Sequence, residues 1–249
     1  MQDTRVKIGL QSKLLSATLF VVISAFLAVW WLATHEAEKG LMSLSDDNQE
    51  LSADNLARSI RGVLEDTRAD TLTTARLDLA SEAIDTRDPK NFEWYADELV
   101  RTKSKYSAII VVDEMAEIVG ANNIGRNKKT LEKPLMGKVI NAPWVAQARS
   151  FEVGKALFMD PSRPGFLLGN LHDHERVLGY SVAILDVVDD RIGSVTHFIS
   201  LDFIRDMLSG YLLTKDGLVS GLAVVVDHRG EVIALPSSLP MEQSWRSFT

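Results

Sequence analysis

Tyr106–Ala121 reads YSAIIVVDEMAEIVGA: an apolar run, a polar interruption at Asp113–Ala116, and a second apolar run. Six consecutive apolar or small residues ending in Val-Val are too short for a stable helix and rich in β-branched side chains, so the stretch predicts strand, turn, strand. Working outward, Val177–Val188 (VLGYSVAILDVV) and Arg191–Leu201 (RIGSVTHFISL) repeat the pattern around Asp189-Asp190 and predict a second antiparallel pair. LDFIRDMLSGYLL after it has helical spacing, with Asp202 as the expected N-cap. Upstream, Asp88-Pro89 is a helix-start signal followed by the amphipathic FEWYADELVRTK. Residues 122–175 hold Pro134, Pro143, Pro161 and Pro164, and predict irregular structure with one short helix, Trp144 to Arg149, opening at Pro143. Helices beside antiparallel hairpins define an α+β chain.

The 249 residues are 46% hydrophobic and 24% charged, with a net charge of −7 and no cysteine. Disulfides, thiolate metal sites and cysteine nucleophiles are thereby excluded, and the acidic balance opposes a nucleic-acid partner. Leu14–Ala33, LLSATLFVVISAFLAVWWLA, is twenty residues without a charge. At about 1.5 Å per residue that matches the roughly 30 Å hydrocarbon layer. Arg5, Lys7 and Lys13 precede it and Glu36 and Glu38 follow it, so the positive-inside rule puts 1–13 in the cytoplasm and the bulk of the chain outside the inner membrane of a bacterial cell. Trp30-Trp31-Leu32 occupy the place where a cleaved signal peptide needs small residues, which favours an uncleaved anchor. The leader carries +2 (three bases minus Asp3), so the exported part carries −9 (−7 − 2) and draws no anion by long-range field; an anionic ligand needs a local basic pocket.

From His35 to about Ala83 there is no proline, and Gly40 and Gly62 are the only glycines. Leu41, Leu44, Leu51, Leu56, Ile60, Val63, Leu64, Leu72, Leu77 and Ile84 recur at three-, four- and seven-residue spacings, predicting one long one-sided helix, with Gly62 as its weakest point. An internal repeat follows. Residues 107–121, SAIIVVDEMAEIVGA, align with 221–235, GLAVVVDHRGEVIAL, at a constant offset of 114, with Val111/Val225, Val112/Val226, Asp113/Asp227 and Glu117/Glu231 identical. The boundaries expected are a leader at 1–13, a transmembrane helix at 14–33, a long stalk helix at 34–84, one sheet lobe at 85–215 and the start of a second at 216–249.

This order of elements resembles the double Cache sensor region of bacterial transmembrane receptors, above all methyl-accepting chemotaxis proteins. The resemblance rests on the uncleaved first helix, the long helix, both hairpins, the APWVAQAR helix and the strand pair with its trailing helix. It implies two PAS-like lobes, here with the second one truncated, stacked on a helix that signals across the membrane as a homodimer. A small molecule binds the membrane-distal lobe in that family, and the output is a chemotaxis transducer, a histidine kinase or a diguanylate cyclase. A membrane-anchored docking protein is the reading from a different class.

Amino-acid-sensing members carry an Arg-x-Trp-Tyr run at the short helix, then a Tyr and an Asp on the next strand. This sequence has Ala142-Pro143-Trp144-Val145, so only Trp144 matches. Without the arginine there is no bidentate fork for a ligand carboxylate, which points to an amine or weakly polar ligand. Phe158 and Asp160 stand where the later pair occurs, and Tyr180 and His197 lie on the second strand pair. The expected ligand-binding residues are therefore Trp144, Phe158, Asp160, Tyr180 and His197. No G-x-S-x-G, P-loop or H-E-x-x-H occurs, so no catalytic residue and no cofactor is expected. His172-Asp-His174 lacks a third ligand at metal spacing, and no metal is expected there.

Overall fold

The computed structural model describes residues 10–162, 164–167, 176–210, 213–215, 218–221, 223–226 and 232–237. Two compact units are distinguished, Met1–Asp54 and Asn55–Thr249. In the first, the backbone is helical from Leu10 onward, as the start of helix α1 (Leu10–Ala75). Among the described residues no helix is long and apolar enough to cross a membrane. Many side chains of the span read at Leu14–Ala33 lie outside the described residues.

The second unit is built on a five-stranded antiparallel sheet. Its elements are the end of α1, α2 (Asp78–Asp85), α3 (Lys90–Thr102), β1 (Tyr106–Asp113), β2 (Ile118–Ala121), α4 (Pro143–Ser150), β3 (Leu157–Ser162), β4 (Val177–Leu185), β5 (Arg191–Ser200) and α5 (Leu201–Ser209). The strand order is β2-β1-β5-β4-β3. β1 pairs with both its hairpin partner and the later β5, and its two faces are covered by packed helices on one side and by α4 and the loop before it on the other, which explains why its apolar run hardly alternates. Side chains alternate across the sheet. Tyr106, Ile109, Val111, Leu178, Val182, Val195 and Ile199 pack against the helices α1, α2, α3 and α5. Ala108, Ile110, Val112, Val177 and Phe198 face the other way, under α4 and the loop that holds Leu135 and Ile140.

Two hairpin turns use one device. Asp113 Oδ1 accepts hydrogen bonds from the backbone N–H of Met115 and Glu117, both at 2.9 Å. Asp186 Oδ1 accepts from Val188 and Asp190, both at 2.8 Å. Such an aspartate closes the turn with its own side chain. The fourth residue of each turn then takes the left-handed conformation, Ala116 at φ 63° and Asp189 at φ 66°. Arg87 holds the first turn from outside, through Asp113 Oδ2 at 2.6 Å and Glu117 Oε2 at 3.2 Å. Two of the identical positions of the repeat, Asp113 and Glu117, are thus the ones that build the turn.

The repeat extends to register. In the first copy Val111 pairs with Gly120 and Val112 with Ile118, across a bulge between Val111 and Val112. β8 (Val225–Val226) and β9 (Val232–Ala234) pair Val225 with Ala234 and Val226 with Val232, across a bulge between Val225 and Val226. Subtracting 114 from each number of the second set returns the first. A second small sheet pairs β6 (Leu213–Lys215) with β7 (Leu218–Gly221). The second hairpin is tied to α5: Arg205 Nε donates to the Leu235 carbonyl at 3.2 Å, and Ala234 is buried.

Several elements depart from the sequence reading. The long helix runs through Gly62 and stops at Ala75, with Leu77 extended (ψ 135°) before α2. No glycine or proline marks that stop, so it has no local signal; it turns Ala80 and Ala83 into the core. α5 is capped by Ser200, whose Oγ accepts from Asp202 N at 3.1 Å; Asp202 is its first-turn acid, paired with Arg205. Residues 157–162, read as irregular, form β3, an edge strand where Pro161 is tolerated beside a bulge. α4 begins at Pro143 as expected. At Gly179 an added Cβ would lie 2.1 Å from the His197 carbonyl oxygen, so the β4–β5 approach requires glycine there.

Candidate functional site

The five residues expected to form a pocket lie on different sides of the sheet. Phe158 pairs across the strands with Tyr180, and Tyr180 with His197. Directly paired residues point the same way, so these three form one row. The row faces α1: His197 meets the Tyr106 ring edge-on at 5.2 Å, and Tyr180 lies within the field of Glu65 and Arg68 of α1. The Phe158 and Tyr180 rings touch at 5.3 Å, with Phe158 43% exposed at the sheet edge. Trp144 is on the opposite face, its ring edge-on to Phe198 at 5.8 Å. Asp160 is exposed on β3 at the bulge. The structure brings Phe158, Tyr180 and His197 together and separates Trp144 from them.

His197 is fully buried, and neither ring nitrogen has a hydrogen-bond partner. Burial pulls its pKa down to about 3, helped by the positive charges of Lys105 and Lys103. It is a neutral imidazole inside the core. Around it the sheet meets α1 through charge. Lys103 Nζ reaches Asp70 at 2.7 Å and Asp66 at 3.1 Å, Lys105 Nζ reaches Asp66 at 2.5 Å, and the Tyr106 hydroxyl donates to Asp70. Hydrogen bonding from Lys105 lowers the Asp66 pKa. Burial lowers that of Lys105, with Asp66 offsetting part of the effect. Burial pushes the Tyr106 hydroxyl well above its ordinary range, reinforced by Asp70. The α1 surface over this network is threonine-rich, and Thr67, Thr71 and Thr74 bury their hydroxyls by donating to the carbonyls four residues back, at 2.8 Å each. Over this network every one of these charges is countered.

The Trp144 face is open. A cavity of about 680 Å³ lies beside α4, walled by Lys138, Ile140, Asn141, Pro143, Trp144 and Ser162 among others. That volume is in the range of small-molecule pockets. Pro143 starts α4 and so fixes where Trp144 leaves the backbone, with Val145 and Ala148 anchoring the helix to the core. On the same sheet face Ser181 and Thr196 share a hydrogen bond of 2.9 Å, and Ser194 Oγ is buried without a partner. Sequence reading missed Lys138, Asn141 and Ser162. The available signal was charge: residues 122–142 carry Arg126, Lys128, Lys129, Lys133 and Lys138 against Glu132 alone. A second cavity, of about 500 Å³, lies between the end of α1, α2 and the β4–β5 turn, with Arg76, Asp78, Asp85 and Asp186 on its walls. Among the described residues no three histidine or carboxylate side chains converge as metal ligands; His172 and His174 lie outside the described residues.

No protein-family model and no curated protein matches the chain. Solved structures do. The domain of a putative sensory box/GGDEF family protein from Vibrio parahaemolyticus superposes with a TM-score of 0.53 at 12% identity, over 63% of this chain and 60% of that one. The extracellular domain of the putative histidine kinase vpHK1S-Z8 gives 0.52 at 12%, over 63% and 57%. The ligand-binding domain of the Campylobacter jejuni chemoreceptor Tlp3, in complex with 4-methylisoleucine, gives 0.50 at 12%, over 77% and 70%. The chain thus spans less than two thirds of the length of the first two. At these identities the likeness is one of fold. The long helix and five-stranded antiparallel sheet of this chain are the fold that these sensor and ligand-binding domains share.

Proposed function

We propose that the chain is the extracytoplasmic small-molecule sensing part of a membrane receptor, anchored by Leu14–Ala33 and acting as a homodimer through the part of α1 that follows the anchor, up to Ala75. The observation that carries the reading is the separation of the two sheet faces. An open cavity lies beside Trp144 on one face. On the other, α1 is clamped to the sheet by Asp66 and Asp70. β5 belongs to both: Phe198 touches Trp144, and its neighbour His197 touches Tyr106, which donates to Asp70 of α1. A ligand that binds one position of this assembly better than another shifts α1, and only that differential affinity drives a switch. Trp144 is the ligand contact in this reading, while Tyr180 and His197 are packing residues of the helix face. The output is a chemotaxis transducer; a histidine kinase or diguanylate cyclase output uses the same sensor. The repeated hairpin at 225–234 opens a second lobe.

The test is a thermal-shift screen of small metabolites on the full chain in detergent, since a ligand specific to the folded state raises the melting temperature. Stabilising compounds should lose their effect in Trp144→Ala and keep it in Phe158→Ala, which alters the opposite face. Compounds insensitive to Trp144→Ala but lost in Phe158→Ala would move the site to the α1 face and refute the assignment.

A further inference from the structure

We propose that the second cavity, between the end of α1, α2 and the β4–β5 turn, is a separate binding site for a small organic cation, an amine on an apolar body. The inference stands apart from the reading of the Trp144 cavity. A volume of about 500 Å³ is within the range of small-molecule sites, and Leu72, Leu77, Val182 and Leu185 give the cavity an apolar lining. Three carboxylates, Asp78, Asp85 and Asp186, share its wall with one base, Arg76, a net −2. The carboxylates that hold this lobe together are paired: Asp66 and Asp70 with lysines, Asp113 and Glu117 with Arg87. Those on the cavity wall are not. Among the described residues, the side chains of Arg76, Asp78 and Asp85 make no hydrogen bond or ion pair. Asp186 uses Oδ1 to close its turn, through Val188 and Asp190, and has no cationic partner among them.

The backbone around the cavity favours the same sign of ligand. Asp78, Ser81 and Asp85 recur at three- and four-residue spacing and share one face of α2, while Ala80 and Ala83 are buried. Asp85 stands in the last turn of α2, where the helix dipole disfavours an acid. The last turn of α1 reaches the wall at Leu72 and Ala75 with no base in it, and Arg76, just past it, is exposed. Negative potential from two helix C-termini and three acids is relieved by an arriving cation. The sheet supplies further acceptors. β3 pairs with β4 only as far as Ser181, and from Val182 to Leu185 β4 is paired with β5 alone. The cavity lies along that edge, where main-chain carbonyls meet the remaining donors of an ammonium. A carboxylate ligand is repelled by the acids, and a neutral one gains nothing from them.

The experiment uses the full chain in phosphatidylcholine nanodiscs, with empty discs as the blank, and three probes of one shape: benzylamine, benzyl alcohol and benzoate. Equilibrium dialysis with radiolabelled benzylamine measures Kd, and the other two compete. Benzylamine should bind at least about tenfold more tightly than either competitor, and more weakly as salt is raised. Asp85→Asn and Asp186→Asn should each raise its Kd about threefold or more, and together about tenfold or more. Asp186→Asn keeps Oδ1 for the turn; if it fails to fold, Asp85→Asn, at an exposed helix end, decides the matter. Benzyl alcohol or benzoate binding as tightly as benzylamine would overturn the cation assignment. Benzylamine binding that is lost in Trp144→Ala and unchanged in Asp85→Asn would move the amine to the other cavity, overturning this site and leaving the proposed function intact. The absence of saturable benzylamine binding overturns the proposal.

Discussion

Lowering the pH from 7 to 5 should destabilise the sheet unit by about 2 kcal/mol through His197 alone. In the unfolded chain its imidazole titrates near 6.5. In the folded chain burial holds it at about 3, with Lys105 and Lys103 adding repulsion against a proton. Between these values the unfolded state binds the proton and the folded state does not, so stability is complete above about pH 6.5 and falls as the pH drops toward about 3. At pH 7 roughly a quarter of unfolded imidazoles are protonated, and at pH 5 nearly all are. The difference corresponds to about 1.4 units, or about 2 kcal/mol at 1.36 kcal/mol per unit. Urea denaturation of the full chain in detergent at pH 5, 6 and 7, followed by tryptophan fluorescence, measures it. With a slope near 2 kcal/mol per molar, the midpoint should drop by about 1 M. His197→Phe preserves an aromatic edge for Tyr106 and cannot take a proton, so it should lose that part of the drop while carboxylates and the other histidines act equally in both proteins. Equal pH slopes in the two proteins would refute the reasoning. They would mean that His197 keeps an ordinary pKa, and that its ring nitrogens are solvated.

Two further outcomes follow from particular positions. Ala116→Gly should stabilise the lobe by about 0.5–1 kcal/mol, because Ala116 sits at φ 63° where glycine has no steric penalty; thermal denaturation reads it, and a loss of stability would show that the turn relaxes elsewhere. Single cysteines placed from 38 to 66 in this cysteine-free chain should crosslink in membranes with helical periodicity, strongest on the face of Leu44 and Leu51, since a disulfide needs Cα atoms within about 7 Å; absence of crosslinking throughout would remove the dimer.

The coupling we propose between the two sheet faces has a simple physical basis. A close-packed strand transmits a displacement because there is no void to absorb it. β5 is the central strand, bonded to β1 and β4 along nearly its whole length, and His197 and Phe198 are consecutive residues pointing in opposite directions. In the proposed switch, movement of Phe198 against Trp144 carries His197, Tyr106 and the Asp70 contact with it. The charged contacts between the sheet and α1 are directional, so they define a position for the helix that a purely apolar interface would leave free to slide.

By itself the sequence determined what depends on neighbours along the chain. The hairpins at 106–121 and 177–200 follow from β-branched runs broken by Asp113 and Asp186, whose carboxylates fold their own turns. The start of α4 follows from Pro143, and the repeat was visible because identical turn residues impose identical register. Tertiary structure decided everything that depends on which face of the sheet is which. Trp144, Tyr180 and His197 look alike as aromatic or polar residues near expected strands. Their separation depends on β5 lying between β1 and β4, a pairing between segments about 90 residues apart that no local pattern encodes. The stop of α1 at Ala75 is likewise set by the burial of Ala80 and Ala83, without a breaking residue to announce it. Lys138 was legible as charge, and it became part of the cavity wall beside Trp144 only when the fold laid its loop there.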